Sequence, residues 1–230
     1  MRKRVFASIT STDGEYLAKI NEANELGLKE VCLFLTGTPD IDSRKRLYIR
    51  LEKSSIEKIP LVHLHSDMES WEIKYLQDRF QATTFCIHSP KEYPIINDWS
   101  EFMNLIYYEN TIFGFVEEEV KKFAGICLDF THLDGACGML VHNYASDVAV
   151  INKYPCSCAH IGVIPKNHVS SQVFEKRYHL GHFLQDFSDL DYLKKYPKSF
   201  FPAIIALELE NSLAEQLKIK EYLEKFLEKS

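Results

Sequence analysis

Apolar and polar positions alternate in blocks along this chain. Eight short runs rich in β-branched and aromatic residues, RVFASIT, EVCLFLT, PLVHLHS, TTFCIHS, LIYYEN, GICLDFTH, CSCAHIGV and PAIIALELEN, read as strands. Between them lie segments with apolar residues at helical spacing: GEYLAKINEANELG, SRKRLYIRLEKSS, SWEIKYLQDRF, DWSEFMNL, EEEVKKF, ACGMLVHNYASDVAVINKY, LDYLKKY and LAEQLKIKEYLEKFLEK. Strand and helix alternating through 230 residues predict an α/β fold, a (β/α)8 TIM barrel that occupies 1–230 as a single domain. A doubly wound sheet competes, but it carries a Gly-rich phosphate turn after its first strand, and the STDG found there lacks that pattern.

Along a barrel strand, side chains alternate between inside and outside, and the reactive face lies at the strands' C-terminal ends. Six acidic or imidazole residues fall at those ends: His65, His88, Glu109, Asp129, His160 and Glu208. Two positions back on the same faces stand His63, Cys86, Tyr107, Cys127, Cys158 and Ala206, mostly small or soft groups suited to a packed layer beneath a site. Crowded carboxylates and imidazoles repel one another or shift each other's pKa unless a cation compensates them. The ring therefore predicts a divalent metal, one to three ions, and mixed nitrogen and oxygen donors suit zinc or manganese better than magnesium or calcium. Register leaves His63 and His65 interchangeable as ligands, with His65 preferred as closer to the strand end, and Glu210 is an alternative to Glu208. His142 and His168 lie off the strand ends and read as ordinary rim residues.

A net charge of −6 and a pI near 5.9 lack the basic excess of a duplex binder, so nucleic acid reads as an unlikely partner and a small carbohydrate-type molecule as the expected substrate. The six cysteines lie mostly in apolar runs, and no signal peptide or apolar run of membrane-spanning length is evident, which predicts reduced thiols in a cytoplasmic protein without a membrane partner. Cys156 and Cys158 share a predicted strand face with His160, which leaves a soft Cys-x-Cys-x-His site open beside the plainer reading of buried, inert thiols. The oligomeric state is open. The last segment spaces Leu213, Leu217, Ile219, Tyr222, Leu223 and Phe226 as an apolar face that closes the barrel wall.

The stretch GICLDFTHLDGACG, residues 125–138, resembles the signature of the endonuclease IV family, in which an Asp and a His three residues later supply two ligands; Asp129 and His132 match it. The order of the other strand-end residues is similar to that family and to its wider relatives, the xylose isomerase-like TIM barrels, which include sugar and sugar-phosphate isomerases and epimerases. The resemblance implies His65 and His88 as imidazole ligands, Glu109 as a bridging carboxylate, and His160 and Glu208 as ligands of the last two strands. The text departs from the family in HIGVIPKNHVSSQVFEKRYHLGHF, where His179 stands for the second member of an Asp-x-His pair but Arg177 occupies the place of its Asp. A third metal held by His132 and His179 therefore lacks its carboxylate.

Two reactions suit this ring, with a non-catalytic metal-binding barrel as a third reading. The first expectation is a metal-dependent sugar or sugar-phosphate isomerase or epimerase, in which Glu109 and Glu208 remove and return a proton beside a polarised carbonyl. His132 and His63 would then bind substrate hydroxyls, and Lys166 would take the place of a basic group seen in the epimerases that the chain resembles. The alternative is a di- or trinuclear phosphoesterase of endonuclease IV type, with Glu109 between the ions. Two more imidazoles, at His65 and His88, favour the alternative, because a one-metal epimerase has little need of them.

Overall fold

A computed structural model describes residues 3–11, 16–38, 40–139, 144–164 and 181–228, the side chains of 135–139 excepted. Every predicted run contains strand: β1 (Arg4–Phe6) and β2 (Ser8–Ile9), β3 (Cys32–Phe34), β4 (Leu61–His63), β5 (Thr84–Ile87), β6 (Ile106–Glu109), β7 (Gly125–Asp129), β8 (Cys156–Ile161) and β9 (Ile204–Leu207). All pair in parallel in the order β1-β9-β8-β7-β6-β5-β4-β3-β2. β1 and β2 are successive parts of the first run, separated by Ala7; one pairs with β9 and the other with β3. The two ends of the sheet thus lie in a single run, and the sheet is a nearly closed parallel barrel of nine strands where the sequence predicts eight. Gln216 secures the break: its side-chain oxygen accepts from Ser8 N at 2.7 Å, and its amide donates to the Ser8, Leu209 and Asn211 carbonyls at 3.0 to 3.2 Å. Backbone groups that ladder pairing would otherwise leave buried and unmet are satisfied in this way.

Among the helices are α1 (Tyr16–Glu25), α2 (Ile41–Glu52), α3 (Ser70–Phe80), α4 (Glu117–Val120), α5 (Phe130–Met139), α6 (Tyr144–Lys153) and α7 (Leu213–Glu228). DWSEFMNL and LDYLKKY form 3-10 segments, Ser100–Phe102 and Phe187–Lys195, in place of the predicted α-helices. Asp40 caps α2 by accepting from Ser43 N at 2.8 Å, an interaction worth about 1 kcal/mol. On α7 the buried stripe is Leu213, Gln216, Ile219, Leu223 and Leu227; Tyr222 and Phe226 are half-buried against it. Among the described residues no helix is long and apolar enough to cross a membrane.

Apolar side chains divide by strand face. Outward positions such as Val62, Phe85 and Ile106 pack with α1–α3, whereas Tyr108, Ile126, Leu128, Ala159 and Ile205 pack on the opposite side with residues of α6 and α7. The inward set is Phe6, Cys32, Phe34, Leu61, Cys86, Cys127, Cys158 and Ala206, a layer filling the barrel beneath its mouth.

A bulge between β7 and β8 changes the sequence reading at one point. Ile126 pairs with Cys156 but Cys127 pairs with Cys158, so Ser157 is an extra residue. Cys156 consequently packs against the outer cluster, while Cys158 belongs to the inner one. The predicted shared face of Cys156, Cys158 and His160 does not form, because strict alternation fails at a bulge. Gly125 sits at the same irregularity with φ +153°; a Cβ there would lie 2.2 Å from the Pro155 carbonyl oxygen, and only glycine allows that approach. Beyond the bulge Asp129 and His160 are level on adjacent strands.

Candidate metal centre at the barrel mouth

Alternation along β6 sends Tyr108 outward and Glu109 inward, where the carboxylate is fully buried among imidazoles. Glu109 Oε2 stands 2.9 Å from His63 Nε2 and 3.2 Å from His160 Nδ1, and Oε1 stands 3.3 Å from His88 Nε2. None of His63 Nε2, His160 Nδ1 or the two Glu109 oxygens has a hydrogen-bond partner. They face one another at ion-pair distance without the angles of a hydrogen bond, which is what donor atoms aimed at a common point would do.

The remaining carboxylates complete the ring. Asp129 ends β7 and caps α5, its Oδ1 accepting from His132 N at 2.7 Å. The i,i+3 spacing brings His132 Nδ1 to 3.7 Å from Asp129 Oδ2 and 3.8 Å from Glu109 Oε1. His160 Nδ1 lies 3.8 Å from Glu208 Oε2. Donor atoms within 4.8 Å of one another fall into groups that share Glu109: His63, His88 and Glu109; and Glu109, Asp129, His160 and Glu208. Nitrogen and carboxylate donors in this number could hold a metal ion.

Neighbouring groups set the imidazole orientations. His63 Nδ1 donates to the Leu64 carbonyl at 3.0 Å, so its Nε2 presents a lone pair toward Glu109. His132 Nδ1 donates to the Asn110 carbonyl at 2.9 Å, and His182 Nδ1 to the Glu208 carbonyl at 3.0 Å. Asn110 is fully buried and clamps Asp129 at both backbone atoms: its amide donates to the Asp129 carbonyl at 3.0 Å and its oxygen accepts from Asp129 N at 2.8 Å. The sequence reading passed over Asn110, although a polar residue directly after Glu109 at a strand end was a signal for it.

Electrostatics follow from burial and from this crowding. Burial raises the Glu109 carboxyl, but His160, His63 and His88 outweigh it and hold the group well below the usual carboxylate range. Burial lowers His63 and keeps it neutral, more strongly than Glu109 raises it. His88 is raised because Glu109 overcomes burial, and His160 is raised because the Cys127 thiol and Glu109 do. Asp129 is pushed up to about 6 by burial. Glu208 is lowered, the imidazoles of His182 and His160 offsetting its burial.

Of the residues singled out in the sequence, His88, Glu109, Asp129, His132, His160 and Glu208 come together, and His63 joins them. His65 does not: its Nδ1 lies 2.6 Å from Asp67 Oδ1, which in turn lies 2.8 Å from Arg44 Nη1. The ladder sets this choice. Strand β4 ends at His63, whose imidazole reaches up from the inner layer, while His65 lies in the turn beyond and lines the rim. His179, Lys166 and Arg177 lie outside the described residues.

No family model matches the chain, and no curated protein matches it. Among solved structures, one described as "The crystal structure of AsfvAP:AG" is similar over 100% of both chains, at 12% identity and a TM-score of 0.39. At that level the likeness assigns nothing to this chain's site. The reading of nucleic acid as an unlikely partner does not stand. That reading rested on a formal charge sum, which says nothing of how charge is distributed around a mouth.

Proposed function

We propose that the chain is a single (β/α)8 barrel of the xylose isomerase-like kind, with β1 and β2 as one strand, and that it is a metal-dependent phosphoesterase with two divalent ions. The observation that carries this reading is the double use of Glu109. Its carboxylate belongs to two donor groups, one completed by His63 and His88 and the other by Asp129, His160 and Glu208. A shared carboxylate between two such groups is the arrangement a dinuclear centre requires.

Bound there, zinc or manganese ions would supply Lewis-acid charge against a phosphoryl oxygen and would lower the pKa of water. The chain's own residues do the rest. Glu109 and His63, wholly buried, keep bulk water out of the floor of the mouth. Asn110 fixes the backbone of Asp129 and the ring of His132 together, so both present one orientation to the substrate. His132, 15% exposed at the rim, is placed to hydrogen-bond a phosphoryl oxygen.

Isomerisation fits this geometry less well. It asks Glu109 to take a proton from carbon, whereas three imidazoles hold that carboxylate well below the usual range and make it a weak base. Elemental analysis of dialysed and reconstituted protein tests the proposal, run beside hydrolysis of bis(p-nitrophenyl) phosphate. Two ions per chain are expected, both lost in Glu109→Gln and one kept in His88→Ala, with hydrolysis in the native chain only. A single ion unaffected by His88→Ala, with no hydrolysis, would overturn it.

A further inference from the structure

Beneath the carboxylate ring lies a second set of donors. Cys86, Cys127 and Cys158 sit fully buried on neighbouring inner positions, and none is in a disulfide. His160 turns Nδ1 up toward Glu109 and Nε2 down toward the thiols, where Cys86 Sγ lies 3.4 Å and Cys127 Sγ 3.5 Å away. Cys86, Cys127, His160 and Glu109 each offer a ligand atom, and those atoms all lie within 4.8 Å of one another. A single imidazole nitrogen carries either one proton or one lone pair, so two thiols converging on it exceed what one hydrogen bond uses. A tetrahedral ion with bonds of about 2.0 to 2.3 Å needs donors about 3.5 Å apart. Both sulfur–nitrogen separations already meet that spacing.

We propose that the barrel interior holds a thiophilic metal site, formed by Cys86, Cys127 and Nε2 of His160 with Glu109 as fourth donor, for a soft or borderline ion such as Cd2+ or Zn2+. On binding, two thiol protons leave to solvent and the ion compensates the thiolates that remain. His160 makes this position and the ring above it exclusive. Once Nε2 ligates, the neutral ring carries its proton on Nδ1 and has no lone pair for an ion beside Glu208. The site does not depend on which reaction the mouth performs.

Titration of dialysed protein with Cd2+, followed by the ultraviolet thiolate-to-metal charge-transfer band, tests it. One equivalent is expected to develop the band in the native chain and in Glu208→Gln and Cys156→Ser, and Mn2+ is expected to give none. The band should vanish in Cys86→Ser and Cys127→Ser. Cys86→Ala, which introduces no buried hydroxyl, is run beside them, with circular dichroism to show that each variant is folded. Cd2+ binding without the band, no Cd2+ binding, or a band that survives in folded Cys86 and Cys127 variants would overturn the proposal. If the cysteine variants do not fold, X-ray absorption of the Cd2+-loaded native chain decides: two sulfur neighbours with nitrogen support the site, and any other shell overturns it.

Discussion

Glu72 and Glu109 are the same residue type with the same complete burial, yet their surroundings differ in kind. Glu72 meets donors at both oxygens. Arg44 Nε and Nη2 donate at 2.7 and 3.0 Å, Tyr48 donates its hydroxyl at 2.9 Å, and Glu69 N donates at 3.0 Å. Its charge is balanced within the chain, which ties α2 to α3. Glu109 has imidazole nitrogens at 2.9 to 3.3 Å and not one hydrogen bond. Imidazoles alone offset its charge, and fully only while they hold protons. What Glu109 lacks, a cation in the middle of its ring would provide. The difference separates a carboxylate that builds the fold from one that waits for a ligand.

Removing each charge should break the two regions in opposite ways. Glu109→Gln has the largest expected effect: bound metal falls to background, while the metal-free chain loses little stability, because His88 and His160, once freed of Glu109, can release their protons and become neutral. Arg44→Met should cost about 3 to 5 kcal/mol, since it strands Glu72 in the interior, yet leave the metal content of folded protein unchanged. Elemental analysis and urea denaturation in chelator measure both. If Glu109→Gln destabilised the metal-free chain as Arg44→Met does, the two carboxylates would not differ as argued.

Acidity sharpens the contrast. Asp129, at about 6, and the raised His88 and His160 bind more protons in the folded metal-free chain than in the unfolded one. By linkage, the stability they contribute is present at low pH and is lost as pH rises through their folded values. Metal competes with those same protons. The melting temperature in chelator should therefore fall between pH 5.5 and pH 8. Metal at a hundredfold excess over its Kd should restore about 2.7 kcal/mol at pH 8, roughly 5 to 10 °C, and less than half of that at pH 5.5. A metal-induced shift that is constant across this range would remove the ring from the binding site.

Clamping should show at the next level down. Asn110→Ala leaves all ligands in place but frees the Asp129 backbone, and a loss of about 10- to 100-fold in metal affinity is expected, read by competition with a chelating dye.

Eight strand runs and their order were legible because parallel strands buried on both faces leave apolar text, and because the charged residues among them had one plausible end to occupy. Asp129 was legible as a strand-end carboxylate, and His132 through the resemblance of GICLDFTHLDGACG to the endonuclease IV signature. Three features were not. Ala7 divides the first run and Ser157 enters β8, and both are ladder events with no local composition of their own. The expected pairing of Cys156 with Cys158 failed for that reason. Nor does periodicity foresee that Asn110 turns its side chain onto the Asp129 backbone, since that contact joins two strands.

His63 and His65 carry the same lesson on one strand, and their substitution has the smallest expected effect that still discriminates. Two residues apart in the run PLVHLHS, they fall on one face by alternation, which therefore cannot choose between them. The structure assigns them to the two different regions. His63 faces Glu109, and His65 faces Asp67, which Arg44 holds together with Glu72. His63→Ala should therefore lower metal affinity by at least about tenfold, as loss of a ligand does. His65→Ala should leave the number of bound ions unchanged, shift affinity by no more than about threefold, and cost about 1 kcal/mol or less, the worth of a half-exposed ion pair. Calorimetric titration of Zn2+ or Mn2+ into the two variants distinguishes them. Equal losses in both would mean that Asp67 and Arg44 belong to the metal centre, and the division between the two buried carboxylates would have to be redrawn.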